Sequence, residues 1–140
     1  VVAHSLGGIM LRSYQAQQES RKLGRVVLLA SGAQGSPLLG LYCRHPLVRL
    51  WLGPAAAQSS DGEDCFPCRM EDRAYGETGV IAGCLPLDPL SWFVMRWPHD
   101  GRIGVEGTKL RGARDHIVLP GAHDAMVLDA LIIYQTAFFV

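Results

Sequence analysis

Short apolar runs along this chain alternate with amphipathic and polar stretches, a pattern that predicts buried strands joined by helices. Residues 1–4, Val1-Val2-Ala3-His4, read as the end of a strand. About 7–21 reads as an amphipathic helix with Ile9, Met10, Tyr14 and Ala16 turned towards a sheet, closed by Leu23-Gly24. Arg25-Val26-Val27-Leu28-Leu29-Ala30 is nearly all apolar, which suits a strand covered on both faces. A helix between two such strands is a βαβ unit and makes the strands parallel. Gly79-Val80-Ile81-Ala82-Gly83 is the next strand, Ile103-Gly104-Val105 a short extended piece, and His116 to Leu119 the last strand. From Asp124 onward the spacing predicts helix, with Met126, Leu128, Leu131, Ile132 and Phe138 as its apolar positions.

Two stretches exceed what these connections need. Ser31 to about Tyr75 is long for a crossover, which requires a single helix. Its first half, Pro37 to Tyr42 and Leu47 to Leu52, is rich in large apolar groups; its second half, Ser59 to Asp64, is a polar loop. An insertion with a task of its own at about 37–75 and a pair of short core helices are the two readings. The second stretch, Cys84 to Trp97, carries Leu85, Leu87, Leu90, Trp92 and Phe93 and delivers the chain to Asp100.

Charge narrows the function classes. Thirteen basic and 13 acidic residues cancel, and no like-charge block stands out, which disfavours nucleic-acid binding. Cys65-Phe66-Pro67-Cys68 has metal-ligand spacing, but no second pair or His-x-x-x-His accompanies it. It reads as two loop cysteines, free or joined locally, so neither a metal nor another cofactor is expected. No apolar run is long enough to span a bilayer.

The chemistry is concentrated in three places. In Ala3-His4-Ser5-Leu6-Gly7-Gly8 small residues flank a serine between a strand end and a helix start, as a nucleophile elbow requires. Ala3 stands where that pattern prefers glycine, and Gly7 and Gly8 let the helix begin close to the strand. The plain alternative is a serine N-cap followed by a glycine turn. Asp100 lies in the turn Pro98-His99-Asp100-Gly101, and His123 in Pro120-Gly121-Ala122-His123-Asp124, after a short apolar run. Serine, acid, histidine is an order in which a triad is supplied, on loops beyond the carboxyl ends of parallel strands.

With those residues in view, the chain resembles the C-terminal portion of bacterial lipase- and esterase-like α/β-hydrolases. The elbow resembles their His-Ser-x-Gly-Gly turn, and Ala33-Gln34-Gly35-Ser36 a Pro-x-x-Gly-Ser loop. Asp100-Gly101-Arg102-Ile103-Gly104-Val105 resembles their Asn-Asp-Gly-x-Val segment, and His116 to Pro120 with His123 their final strand and histidine. Ser31-Gly32 and His99 depart from the pattern. The resemblance covers most of the chain except the insertion around 40–75 and implies a partial α/β-hydrolase domain over residues 1–140. The length and apolar first half of the insertion at about 37–75 are what suggest a cap over an acyl-binding pocket. The resemblance also implies that one oxyanion donor comes from an early loop, so the chain is expected to be the C-terminal part of a larger protein.

Ser5 is then the expected nucleophile, His123 its base, Asp100 the acid that orients the base, and the Leu6 N–H half of an oxyanion hole. Among rivals, His4 reads as packing, His116 as buried or alternating in its strand, His45 as part of the insertion, and His99 as a solvated turn residue. Asp88 is the best alternative to Asp100; Asp115 and Asp124 read as lying on the wrong side of the strand or capping the final helix. The expected activity is ester hydrolysis on a substrate with an apolar acyl group. Acyl transfer by the same residues, or an inert binding module, are the alternatives.

Overall fold

The structure is a computed structural model, and it describes residues 1–17, 23–58 and 65–140. The predicted helical residues 18–21 and the polar loop 59–64 lie outside the described residues. Four parallel strands form one sheet in the order β1 (Val2–His4), β2 (Val26–Leu29), β3 (Thr78–Gly83) and β4 (Asp115–Leu119). With helices against the sheet, the class is the predicted one: α/β with a parallel sheet.

Every residue of β2 and β3 is buried, because successive side chains enter different cores. Val26, Leu28 and Val80 pack on one face with Leu11, Ala74 and Leu110. Val27, Leu29 and Ile81 pack on the other with Met126 and Ile132. Each such aliphatic side chain contributes roughly 1.5–3 kcal/mol, so the unbroken apolar runs are the fold's main anchors.

Helix α1 (Leu6–Gln17) follows β1 but buries a different face from the predicted one. Ile9 is inside, whereas Met10, Tyr14 and Ala16 face outward; Gly8, Arg12 and Gln15 complete the buried stripe. The reason lies in the partner segment. Arg12 Nη2 donates to the Glu71 carbonyl at 2.6 Å and Gln15 Nε2 to that of Tyr75 at 3.4 Å, so polar tips satisfy backbone that an apolar face would strand. Gly8 is where α1 meets β2: an added Cβ would fall 2.6 Å from Ser31 Cβ and 3.3 Å from Leu28 Cδ2. At Gly7, by contrast, a Cβ would meet nothing within 4 Å, so the predicted need for two glycines reduces to one.

The insertion holds α2 (Pro37–Cys43), α3 (Pro46–Gln58) and the short α4 (Phe66–Arg69). Helix α3 is broken at Gly53, whose φ of +78° before Pro54 suits only glycine comfortably. Leu47, Leu50 and Trp51 of α3 are 70–84 % exposed, whereas Leu38 of α2 is buried in the core. Cys65 and Cys68 are joined in a local disulfide, while Cys43 and Cys84 are free.

The second excursion contains α5 (Ser91–Val94) and exposes Leu87, Trp92, Phe93 and Trp97. The predicted extended piece at 103–105 is no strand; Gly104 makes one antiparallel bridge with His99, because the chain there folds back around the Asp100 carboxylate. The predicted helix from Asp124 is also divided. His123–Leu128 is a 3₁₀ segment, and α6 (Ala130–Phe139) starts anew where Asp129 Oδ1 accepts from Leu131 N and Ile132 N. That break rotates the apolar pattern: Met126 and Ile132 are buried, whereas Leu128, Leu131 and Phe138 are exposed.

Candidate active site

Ser5 occupies the single residue between β1 and α1, with φ of +52°, a region that residues with a Cβ rarely adopt. Its N–H continues the strand ladder to the Leu29 carbonyl at 2.9 Å, and its carbonyl accepts from Gly8 N at 3.0 Å. These bonds hold the strained turn at both ends, so the hydroxyl projects from the carboxyl edge of the sheet. Leu6 is the first residue of α1, and its N–H has no acceptor within the helix.

Asp100 and His123 come from loops beyond β3 and β4, and both are at most 5 % exposed. Asp100 Oδ1 accepts from Arg102 N at 2.9 Å and Ile103 N at 2.7 Å. Its Oδ2 lies 2.7 Å from His123 Nδ1, and its carbonyl accepts from His123 N at 3.0 Å. Because a carboxylate can only accept, Nδ1 carries the proton. Nε2 is left as an acceptor, 2.8 Å from Ser5 Oγ. The three predicted residues thus form one hydrogen-bonded chain. A hydroxyl so placed can lose its proton to the imidazole as it attacks an electrophile, while the buried carboxylate stabilises the imidazolium.

The rival residues have other partners. His4 Nε2 lies 2.9 Å from the His123 carbonyl, and its ring packs on His123 with centroids 4.9 Å apart. His99 is buried, not solvated as predicted, because its Nδ1 accepts from Gly101 N at 3.2 Å inside the turn; burial lowers its pKa. His116 Nε2 bonds with Thr108 Oγ1 at 2.9 Å, and His45 is exposed. Asp88 accepts from Tyr42 OH at 3.0 Å and from Leu90 N at 2.9 Å, and so links α2 to the second excursion. Asp124 pairs with Arg102, with Nη2–Oδ2 at 2.8 Å, and does not cap the last helix; Asp129 does. Asp115 accepts from the adjacent His116 N.

Three residues around the site escaped sequence reasoning. Arg102 joins the Asp100 loop to the residue after His123. Ser36 Oγ donates to the Arg102 carbonyl at 2.6 Å. At Gly83, an added Cβ would collide with the Gly121 carbonyl and lie 2.8 Å from Asp100 Cβ. A glycine ending a strand run was the available signal for that close approach. A cavity of about 270 Å³ opens beside the site, lined by Tyr42, Leu87, Asp88, Arg102, His123 and Asp124 among others. Another, about 190 Å³, lies between the sheet and α6 around Arg25 and Phe139 and touches none of the three residues. Among the described residues no cluster of His, Cys, Asp and Glu could hold a metal ion, and no helix is long and apolar enough to cross a membrane.

The structure is similar to two solved structures of the Bacillus licheniformis lipase BlEst2. The TM-score is 0.73 to its propeptide form and 0.69 to its mature form, at 16 % and 15 % sequence identity. Each likeness covers 99 % of this chain, which spans 35 % of the first structure's length and 64 % of the second's. At that identity the likeness shows a lipase-like fold. No protein-family model and no curated protein matches the sequence.

Proposed function

We propose that this chain carries the catalytic residues of a serine hydrolase that cleaves carboxylic esters with an apolar acyl part. The observation that carries the reading is the continuous chain Ser5 Oγ–His123 Nε2 at 2.8 Å and His123 Nδ1–Asp100 Oδ2 at 2.7 Å, with the serine on a strained strand-to-helix turn. Such a turn is costly and persists where the surrounding structure enforces it.

In this reading Ser5 Oγ attacks the ester carbonyl and passes its proton to His123 Nε2. The carbonyl oxygen becomes an oxyanion, for which the Leu6 N–H at the positive end of α1 is one donor. The imidazolium then gives that proton to the departing alkoxide, which leaves as the alcohol, and the acyl group stays on Ser5. Water, deprotonated by His123, attacks the acyl-enzyme; the acid departs and Ser5 regains its proton. Asp100 keeps its charge throughout and fixes the imidazole's tautomer.

The segment at about 37–75 is the proposed cap over the acyl pocket. Its exposed Leu47, Leu50 and Trp51 offer apolar surface, and Tyr42 tethers α2 to Asp88 beside the cavity next to His123. The test is covalent labelling of the intact protein with a fluorophosphonate probe, followed by a p-nitrophenyl ester series of increasing acyl length. Labelling abolished by Ser5→Ala, with longer acyl chains preferred, supports the reading. Labelling undiminished in Ser5→Ala refutes it, because the probe reports an activated serine.

A further inference from the structure

His4 stands one residue before the serine, yet it is bonded to the other end of the site. We infer that His4 is a positioning residue for His123: its Nε2–H donates to the His123 carbonyl at 2.9 Å while its ring packs on the imidazole, so that one strand end sets both Ser5 and its base. The inference rests on the proposed function for its consequence, and on geometry alone for its structure.

The topology explains why such a link matters. Ser5 follows β1 and His123 follows β4, with β2 and β3 between them. The Ser5–His123 distance therefore depends on the twist of the whole sheet and on the course of two loops. His123 itself begins a 3₁₀ segment, a less regular support than a strand or α-helix. His4, in contrast, is held in the ladder opposite Leu29, and the next N–H, that of Ser5, bonds to the Leu29 carbonyl. A bond from His4 to the His123 backbone carbonyl crosses the sheet directly, while Asp100 Oδ2 holds the imidazole at Nδ1.

The donor must be nitrogen, since a carbonyl only accepts, so His4 is the Nε2–H tautomer when neutral. Its pKa lies below the ordinary histidine value, first through burial and then through the neighbouring His123, against the opposite pull of its bond to the His123 carbonyl and of Asp100 and Asp124. A neutral His4 adds no positive charge beside the base as the base becomes an imidazolium. Packing alone would be served by any flat ring; the directed N–H is what separates positioning from filling.

The test uses the intact protein and three readouts. In the wild type, ¹⁵N shifts should give the Nε2–H tautomer for His4; an Nδ1–H tautomer overturns the inference without any substitution. His4→Phe keeps a ring but loses the donor, and His4→Gln returns an amide N–H near the same position. His4→Phe should shift or broaden the low-field proton resonance of His123 Nδ1–H and slow fluorophosphonate labelling by roughly 10- to 100-fold, the scale of a misplaced catalytic group. His4→Gln should recover both towards wild type. No change in His4→Phe, or equal loss in both variants, overturns positioning. Absence of Ser5 labelling in the wild type would instead refute the proposed function, and the ¹⁵N and low-field resonances would still decide the role of His4.

Discussion

The Ser36 hydroxyl donates to the Arg102 carbonyl at 2.6 Å and accepts from Leu39 N at 3.3 Å, so one buried side chain fastens the start of α2 to the loop that carries Asp100. The insertion and the acid loop share that fastening. Removing the hydroxyl leaves the half-buried Arg102 carbonyl without its donor and a helix without its N-cap. Ser36→Ala should cost about 1–3 kcal/mol in urea unfolding, and under the proposed function ester hydrolysis should fall with it. An unchanged unfolding midpoint would show that water replaces the bond without loss.

Under the proposed function, Ser5, His123 and Asp100 should behave as a unit. His123→Ala should lower kcat about as far as Ser5→Ala, because neither residue acts without the other. Asp100→Asn should cost on the order of 10⁴-fold, since the amide favours the wrong imidazole tautomer. Asp88→Asn should be mild, as Asp88 is engaged by Tyr42 OH and Leu90 N rather than by the imidazole. A crippling Asp88→Asn beside a mild Asp100→Asn in steady-state kinetics would make Asp88 the acid.

The strands were legible because their signal is local and double-faced: a run such as Val26–Leu29 can be buried only between two layers. The three residues of the hydrogen-bonded chain, Ser5, His123 and Asp100, stood out because small residues around a serine and turns around an acid and a histidine leave marks in sequence. Helix faces were not. The buried stripe of α1 includes Arg12 and Gln15, whose polar ends bond to carbonyls some 60 residues away, and apolar periodicity cannot anticipate such partners. The burial of His99 was hidden for the same reason: its environment depends on how the Asp100 loop closes, with Gly101 N on its ring and a single backbone bridge to Gly104. The break at Asp129 turned on a single cap residue inside an apolar stretch.

The two glycines after the serine should respond oppositely to alanine. At Gly8 a methyl group would be forced against Ser31 and Leu28, and overpacking of this kind costs about 1–3 kcal/mol. At Gly7 a Cβ meets nothing within 4 Å, and alanine suits a helix better than glycine by up to about 1 kcal/mol. Denaturant titration should therefore place Gly8→Ala below wild type and Gly7→Ala at or above it. Equal effects would mean that α1 does not cross β2 at Gly8.

Gly83→Ala tests whether Asp100, the acid of the proposed function, is set by close packing. The new methyl would push against the Gly121 carbonyl and Asp100 Cβ, which belong to the two loops that hold the imidazole. Under the proposed function, displacing Asp100 by about 1 Å should lower kcat by up to about 100-fold, with KM changed far less. Cys84→Ala, at the free cysteine next along the chain, provides the control. A Gly83→Ala enzyme with wild-type kcat would show that the loops yield without disturbing the site.

Acidification should weaken the fold through three histidines, the buried His99 and the half-buried His4 and His116. The pKa values of His4, His99 and His116 are each lowered, burial being the largest cause in every case. A histidine with a lowered folded pKa takes up its proton first in the unfolded chain, near pH ~6.5. Its contribution is therefore complete above that pH and is lost as pH falls through the folded value. Urea midpoints measured between pH ~7.5 and ~5 should decline steadily on this account. His99→Asn isolates one share of the effect: the amide oxygen can still accept from Gly101 N, as His99 Nδ1 does at 3.2 Å, but it cannot take up a proton in this range. The smaller side chain leaves a void, so stability at pH ~7.5 should fall somewhat. The diagnostic is the slope, which should be shallower in His99→Asn than in wild type. An identical slope would mean that His99 is protonated as readily in the folded protein as in the unfolded chain, and that its burial in the Asp100 turn carries no electrostatic cost.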